Sequence, residues 1–200
     1  MIKTFTAREI KRIMAAYEPE AREPEKGMKP ASVLIPFYPD PENLSLIFTK
    51  RTNHLPSHSG QISFPGGGRD PEDEDDLATA LRETHEEIGV EPDVVETWGG
   101  LNPETTVGSG YWVSPFVGII PFPYEFKLNT YEVARLVIVP LSHLLDPANV
   151  TSGMSIWEGR EYRAFEYTYG RDVIWGATAR ILNNFLNLLT TGREHGHIPD

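Results

Sequence analysis

The residues best able to do chemistry lie between Phe64 and Val90. Phe64-Pro65-Gly66-Gly67-Gly68 is a glycine-rich loop, and the stretch from Asp70 to Asp76 is acidic everywhere except Pro71. Leu77, Leu81, Thr84 and Ile88 then recur at helical spacing, so the segment reads as a helix over 76–88 with one side packed and Gly89 as its stop. Glu83, Glu86 and Glu87 stand at i, i+3 and i+4 and share a different face. Three like charges so placed repel, and a hard dication such as Mg²⁺ or Mn²⁺, which takes carboxylate and carbonyl oxygens, would relieve them. Arg82 can pair with Glu86 one turn on or with Glu74 in the loop, steadying the set. Spacing alone equally describes a solvated acidic face. An EF-hand is excluded, because no offset of the acidic run supplies its ligand spacing around a central glycine.

Something must hold that helix against the loop. Thr6 to Tyr17 predicts a short amphipathic helix with Ile10, Ile13 and Met14 on one side, followed by a polar connector, Glu18 to Pro30. Strands are expected over 31–37 and 44–49, joined by the turn-forming Pro39-Asp40-Pro41-Glu42-Asn43, and again over 94–101, 112–120, 133–139 and 162–169. A second helix, Trp175 to Leu189, places Thr178, Ile181, Leu182, Phe185, Leu188 and Leu189 on one face, a core stripe. Strands flanked by helices without a strict βαβ rhythm predict an α/β sandwich around a mixed sheet.

Composition sets the outer limits. Of 200 residues, 18 are basic and 29 acidic, a formal charge of −11, which disfavours nucleic acid and anionic membranes as partners. There are no cysteines, which removes disulfides, thiolate zinc sites and thiol catalysis. No apolar run approaches the ~18 residues of a membrane span, and the first 16 residues lack a signal-peptide core, so a cytoplasmic single-domain protein is expected. The acidic balance needs local relief if the ligand is anionic; Lys50, Arg51 and Arg69 flank the loop, and the planar fork of Arg51 suits phosphate oxygens.

Gly68, five residues, Glu74, seven residues, then Arg82-Glu83-Thr84-His85-Glu86-Glu87-Ile88-Gly89-Val90 resembles the signature box of the Nudix hydrolases, with Thr84 where an aliphatic residue is usual. Upstream, the segment 46–67, with Thr49, Arg51, Leu55, His58, Gly60 and Phe-Pro-Gly-Gly, is similar to the extra motif of the coenzyme A diphosphatase branch. Ser109 to Gly118, Tyr131-Glu132-Val133 and Ile174 to Arg180 look like that branch too. The resemblance implies a Nudix α/β/α sandwich over 31–190, with 1–30 an added helix and connector and 191–200 a tail. It implies hydrolysis of the pyrophosphate of coenzyme A to 4′-phosphopantetheine and 3′,5′-adenosine bisphosphate, with Mg²⁺ or Mn²⁺. A nucleoside diphosphate derivative such as ADP-ribose or NADH is the alternative substrate, and a non-catalytic nucleotide-binding domain the alternative class. By the same analogy Glu83 and Glu87 are metal ligands, Glu86 a third ligand or the general base, and the carbonyl of Gly67 or Gly68 a further ligand. Arg82 and Glu74 support them, and Glu104 and Glu132 are other candidates for the base. Arg51, Lys50, His58, Gly66 and Gly67 are expected at the substrate. His85 is expected in solvent, and Tyr111, Trp112, Trp157 and Trp175 in the sheet rather than against a base. A homodimer is left open.

Overall fold

Two apolar runs build the centre of the molecule, whose computed structural model describes residues 4–24, 26–54, 59–157 and 159–191. After helix α1 (Ala7–Ala15) come β1 (Lys29–Pro39) and β2 (Leu44–Arg51), then the short β3 (Ile62–Ser63) and β4 (Gly66–Gly68). Helix α2 (Asp76–Ile88) is followed by β5 (Glu96–Gly100), β6 (Glu104–Thr105), β7 (Tyr111–Ile119), β8 (Val133–Pro140) and the one-turn α3 (Leu141–Leu144). The chain continues through β9 (Val150–Trp157), β10 (Arg160–Tyr169) and β11 (Asp172–Ile174) into α4 (Gly176–Thr191).

β1 runs parallel to β7, and the other pairings are antiparallel, which makes the main sheet mixed. Residues of β1 and β2 alternate between two apolar layers. Ile35, Phe37, Leu46 and Phe48 face one side, where they meet Ile10 and Met14 of α1 and Leu182 and Phe185 of α4. Tyr38 and Ile47 face the other, against Ile88 of α2. The architecture is the α/β/α sandwich around a mixed sheet that the family resemblance implies. β9, β10 and β11 form a separate three-stranded antiparallel sheet. Among the described residues no helix is long and apolar enough to cross a membrane.

The feature that makes a site is a split between β1 and β2. They pair only from Phe37↔Leu46 to Pro39↔Leu44. Toward the other end they part, and the glycine loop enters the gap: β3 pairs with β2 through Thr49↔Ser63, while β4 pairs with β1 through Ala31↔Gly68. Phe64 is buried and stacks on Phe48 with ring centroids 4.6 Å apart, and the Pro65 carbonyl accepts the Leu34 amide at 2.9 Å. The loop is thus held on both edges and pinned below by an aromatic side chain whose burial stabilises by roughly 2–3 kcal/mol.

Candidate active site

Helix α2 lies across β1, β4 and β7 with its glutamates aimed at the glycine loop. Asp75 caps its start, accepting the Ala78 amide at 2.8 Å, and Gly89 ends it with φ 70°. Thr84 packs inward, its hydroxyl donating to the Ala80 carbonyl at 2.6 Å, so the polar member of the buried side is satisfied within the helix.

The three box glutamates do not share one environment. Glu86 is 55% exposed and Glu83 19%, whereas Glu87 is 3% exposed. Arg82 stands between the first two: its Nη1 donates to Glu83 Oε1 at 3.0 Å and to Glu86 Oε2 at 3.2 Å. Glu87 turns inward to the Thr49 hydroxyl at 3.4 Å and to Arg51, whose Nη1 is 3.7 Å away. Burial, reinforced by the charges of Glu83 and Glu132 and opposed by Arg51, pushes the Glu87 carboxyl up to about 8. Burial also raises Glu83, against the pull of Arg82. The repulsion expected from the spacing is therefore answered in this state by two arginines.

Arg82 differs from expectation in its main anchor. Its fork grips Asp73, Nε to Oδ1 at 2.9 Å and Nη2 to Oδ2 at 3.0 Å, and Nη2 also donates to the Gly68 carbonyl at 3.0 Å. Glu74 is exposed; only its carbonyl is used, by Arg69 at 3.1 Å. Asp73, one residue earlier, points back under the loop and also accepts from Thr79 and from the Asp70 amide, each at 2.9 Å. Arg82 holds this carboxylate well below its usual range. The sequence signal for Asp73 was present only as one member of an acidic run.

Glu83, Glu87, Glu132, Arg51 and Gly66–Gly68 open onto one cavity of about 760 Å³, whose far wall is the β9–β10 hairpin and the start of α4. Glu83 rests directly on the loop. A Cβ on Gly67 would come within 2.5 Å of its carboxylate, so only glycine permits this approach. Arg51 is 23% exposed, and its Nε is buried with no hydrogen-bond partner.

Other expected residues fall elsewhere. Lys50 does not line the cavity: it alternates with Arg51 along β2 and reaches Asp172 at 3.1 Å beside Arg135. Arg69 is spent on Asp76 at 2.9 Å. Glu104 is bound to Arg180 at 3.2 Å and to Asn184 and does not line the cavity, whereas Glu132 does. Glu86 shares the Arg82 fork but not the cavity lining, and the Gly68 carbonyl is already taken by Arg82. His85 is 46% exposed, as expected. Trp112 is buried, but Trp157 and Trp175 are about half exposed and line the cavity with Tyr111, against the expectation of sheet interiors. His58 lies outside the described residues.

A family model described as the NUDIX domain matches residues 28–152. The chain belongs to the Nudix family. The uncharacterized Nudix hydrolase NudL of Yersinia pestis (strain Pestoides F) is 40% identical over 154 residues, covering 77% of this chain and 76% of that protein. The NudL of Yersinia pseudotuberculosis serotype O:1b (strain IP 31758) matches to the same extent. Among solved structures, a MutT/nudix family protein from Enterococcus faecalis superposes with a TM-score of 0.49 at 14% identity, covering 90% of this chain and 73% of that one. The NUDIX domain of Shewanella oneidensis NrtR, complexed with ADP ribose, gives 0.46 at 22% identity, covering 70% and 87%. Family membership makes this chain a Nudix hydrolase, with nucleoside diphosphate derivatives as the substrate class.

Nudix hydrolases generally use divalent metal ions. Among the described residues, no three acidic or histidine side chains converge as a ready cage. The donors nonetheless fit such an ion: Glu83 and Glu87 present hard carboxylate oxygens, partly or wholly dehydrated and mutually repelling, at a glycine backbone that admits close approach. Glu83, Glu87 and the loop carbonyls are the residues able to hold it.

Proposed function

We propose that the protein hydrolyses the phosphoanhydride of coenzyme A or a derivative, releasing 4′-phosphopantetheine and 3′,5′-adenosine bisphosphate. The observation that carries the bond type is the convergence of Glu83, Glu87, Glu132 and Arg51 on one cavity beside Gly66–Gly68. The choice of coenzyme A rests on the segment 46–67, whose described part supplies β2, β3 and β4 and so borders those carboxylates. A bound Mg²⁺ or Mn²⁺ would supply charge neutralisation at the phosphates and lower the pKa of the attacking water.

The chain's own residues do the rest. Glu83 and Glu87 hold the ion, with Arg82 keeping Glu83 in place against the loop. Arg51, which lines the cavity, offers its guanidinium to the non-bridging phosphate oxygens. Glu132 takes the proton of the water as general base, a role that its place in the cavity favours over Glu104. Glu86 acts through Arg82. The test is a comparison of kcat/KM for coenzyme A, ADP-ribose and NADH with either metal. Coenzyme A should be cleaved fastest; comparable turnover or a preference for ADP-ribose defeats the narrower assignment. Tight binding without any cleavage would favour a nucleotide-binding role.

A further inference from the structure

The cavity has an end that the hydrolytic groups do not use. Along the β9–β10 hairpin, Ser155, Trp157, Tyr162 and Ala164 line it by strand alternation. Trp157 is 48% exposed, an unusual state for an indole in a strand. It is nevertheless fixed. Gly108, at φ 88°, lies against its six-membered ring, and a Cβ there would come within 3.0 Å of Cζ2 and 3.4 Å of Cη2. The six-membered ring is thus backed by loop backbone that only glycine can bring so close, and the ring borders the open cavity.

The surroundings indicate which ligand would suit that ring. Hydroxyls of Thr106, Ser109 and Tyr162 border the same cavity, able to hydrogen-bond the edge of a heteroaromatic ring. Among the described residues Arg180, which lines the cavity here, lies over the Tyr162 ring at 5.6 Å and is held by Glu104 and the Thr105 carbonyl, while Lys29 lies 6.0 Å from the Tyr111 ring centroid. Arg180 is spent on its partners, whereas Arg51 lines the cavity beside the glutamates. A lining that combines Arg51 and the glycine loop with a hydroxyl-bordered indole suits both the phosphates and the base of a nucleotide. We propose that Trp157, backed by Gly108, is the stacking platform for the purine base of the substrate; this rests on the reading that the substrate is a nucleoside diphosphate derivative.

Adenosine 5′-monophosphate and ribose 5-phosphate, titrated without metal into the full chain, test the proposal independently of turnover. Trp98 and Trp112 are buried, so quenching by an added ring reports on Trp157 and Trp175. The wild type should bind adenosine 5′-monophosphate with quenching, and Trp157→Leu should bind about tenfold more weakly by calorimetry. Trp157→Phe, which preserves a ring and guards against misfolding, should keep most of the affinity. Ribose 5-phosphate should not quench. With coenzyme A as substrate, Trp157→Leu should raise KM about tenfold with a smaller change in kcat. The proposal is overturned by equal affinity in wild type and a folded Trp157→Leu, by no binding of adenosine 5′-monophosphate, or by ribose 5-phosphate binding as tightly as the nucleotide. Trp157-dependent binding with intact coenzyme A would leave the platform standing and remove the hydrolase reading.

Discussion

Replacing Asp73 with alanine separates what this structure shows from what the family box alone suggests. The carboxylate is 6% exposed and accepts two bonds from Arg82, one from Thr79 and one from the Asp70 amide. Hydrogen bonds to charged groups contribute about 1.5–3 kcal/mol each, and an orphaned buried partner costs about 3–5 kcal/mol. Arg82 is 25% exposed and would keep Glu83, Glu86 and the Gly68 carbonyl, which lowers the total. A net loss of about 3 kcal/mol is expected, or roughly 9 °C in melting temperature for a chain of this size. Activity should drop about 10- to 100-fold, because Arg82 positions Glu83. Glu74→Ala is the matched control: its side chain is exposed, and it should change stability by less than about 0.5 kcal/mol. Calorimetric melting and turnover of both variants decide the matter. Equal losses in the two, or no loss in Asp73→Ala, would refute the assignment of the Arg82 anchor.

Other perturbations follow from the same geometry. Glu83→Gln and Glu87→Gln should each lose at least about 100-fold in kcat while melting cooperatively, since each removes a charge at the reacting end of the cavity; wild-type turnover in both would reject them as ligands. Gly67→Ala should cut activity about tenfold or more, because the new Cβ would strike the Glu83 carboxylate at 2.5 Å. In a circular-dichroism acid titration Asp73 and Asp172 should contribute a loss of stability as pH falls below about 4. Asp73 and Asp172 are both depressed from 3.8, so the folded state binds fewer protons than the unfolded chain until pH falls through the lowered values. Asp172→Asn should flatten that acid loss; an unchanged profile would contradict the role of its pairs with Arg135 and Lys50.

Periodicity made the long elements legible. The helix expected over 76–88 is α2 residue for residue, and the one expected over 175–189 is α4 displaced by one or two positions. Apolar runs marked β1, β2, β7 and β8 for the same reason. What escaped was local or long-range. β3 and β4 are two and three residues long, and β4 is all glycine, so they are strands only because β1 and β2 part around them. β9 sets Met154 and Ile156 in alternation with Gly153 and Ser155, but those apolar side chains are exposed, and the strand is ordered by its ladder with β10. At the site, the motif located Glu83, Glu87 and Arg51, but helical spacing could not distinguish exposed Glu86 from buried Glu87. Nor could it tell which carboxylate of an acidic run Arg82 would choose. Lys50 and Arg51 are neighbours in sequence, and the alternation of the strand sends their side chains apart, Lys50 to Asp172 and Arg51 to Glu87.

Mass spectrometry of coenzyme A incubated with the protein and Mn²⁺, with and without chelator, addresses the central claim most directly. Equimolar 4′-phosphopantetheine and 3′,5′-adenosine bisphosphate should form, and both should vanish with chelator and in Glu83→Gln. Intact coenzyme A, or the same products at the same rate in Glu83→Gln, would contradict it.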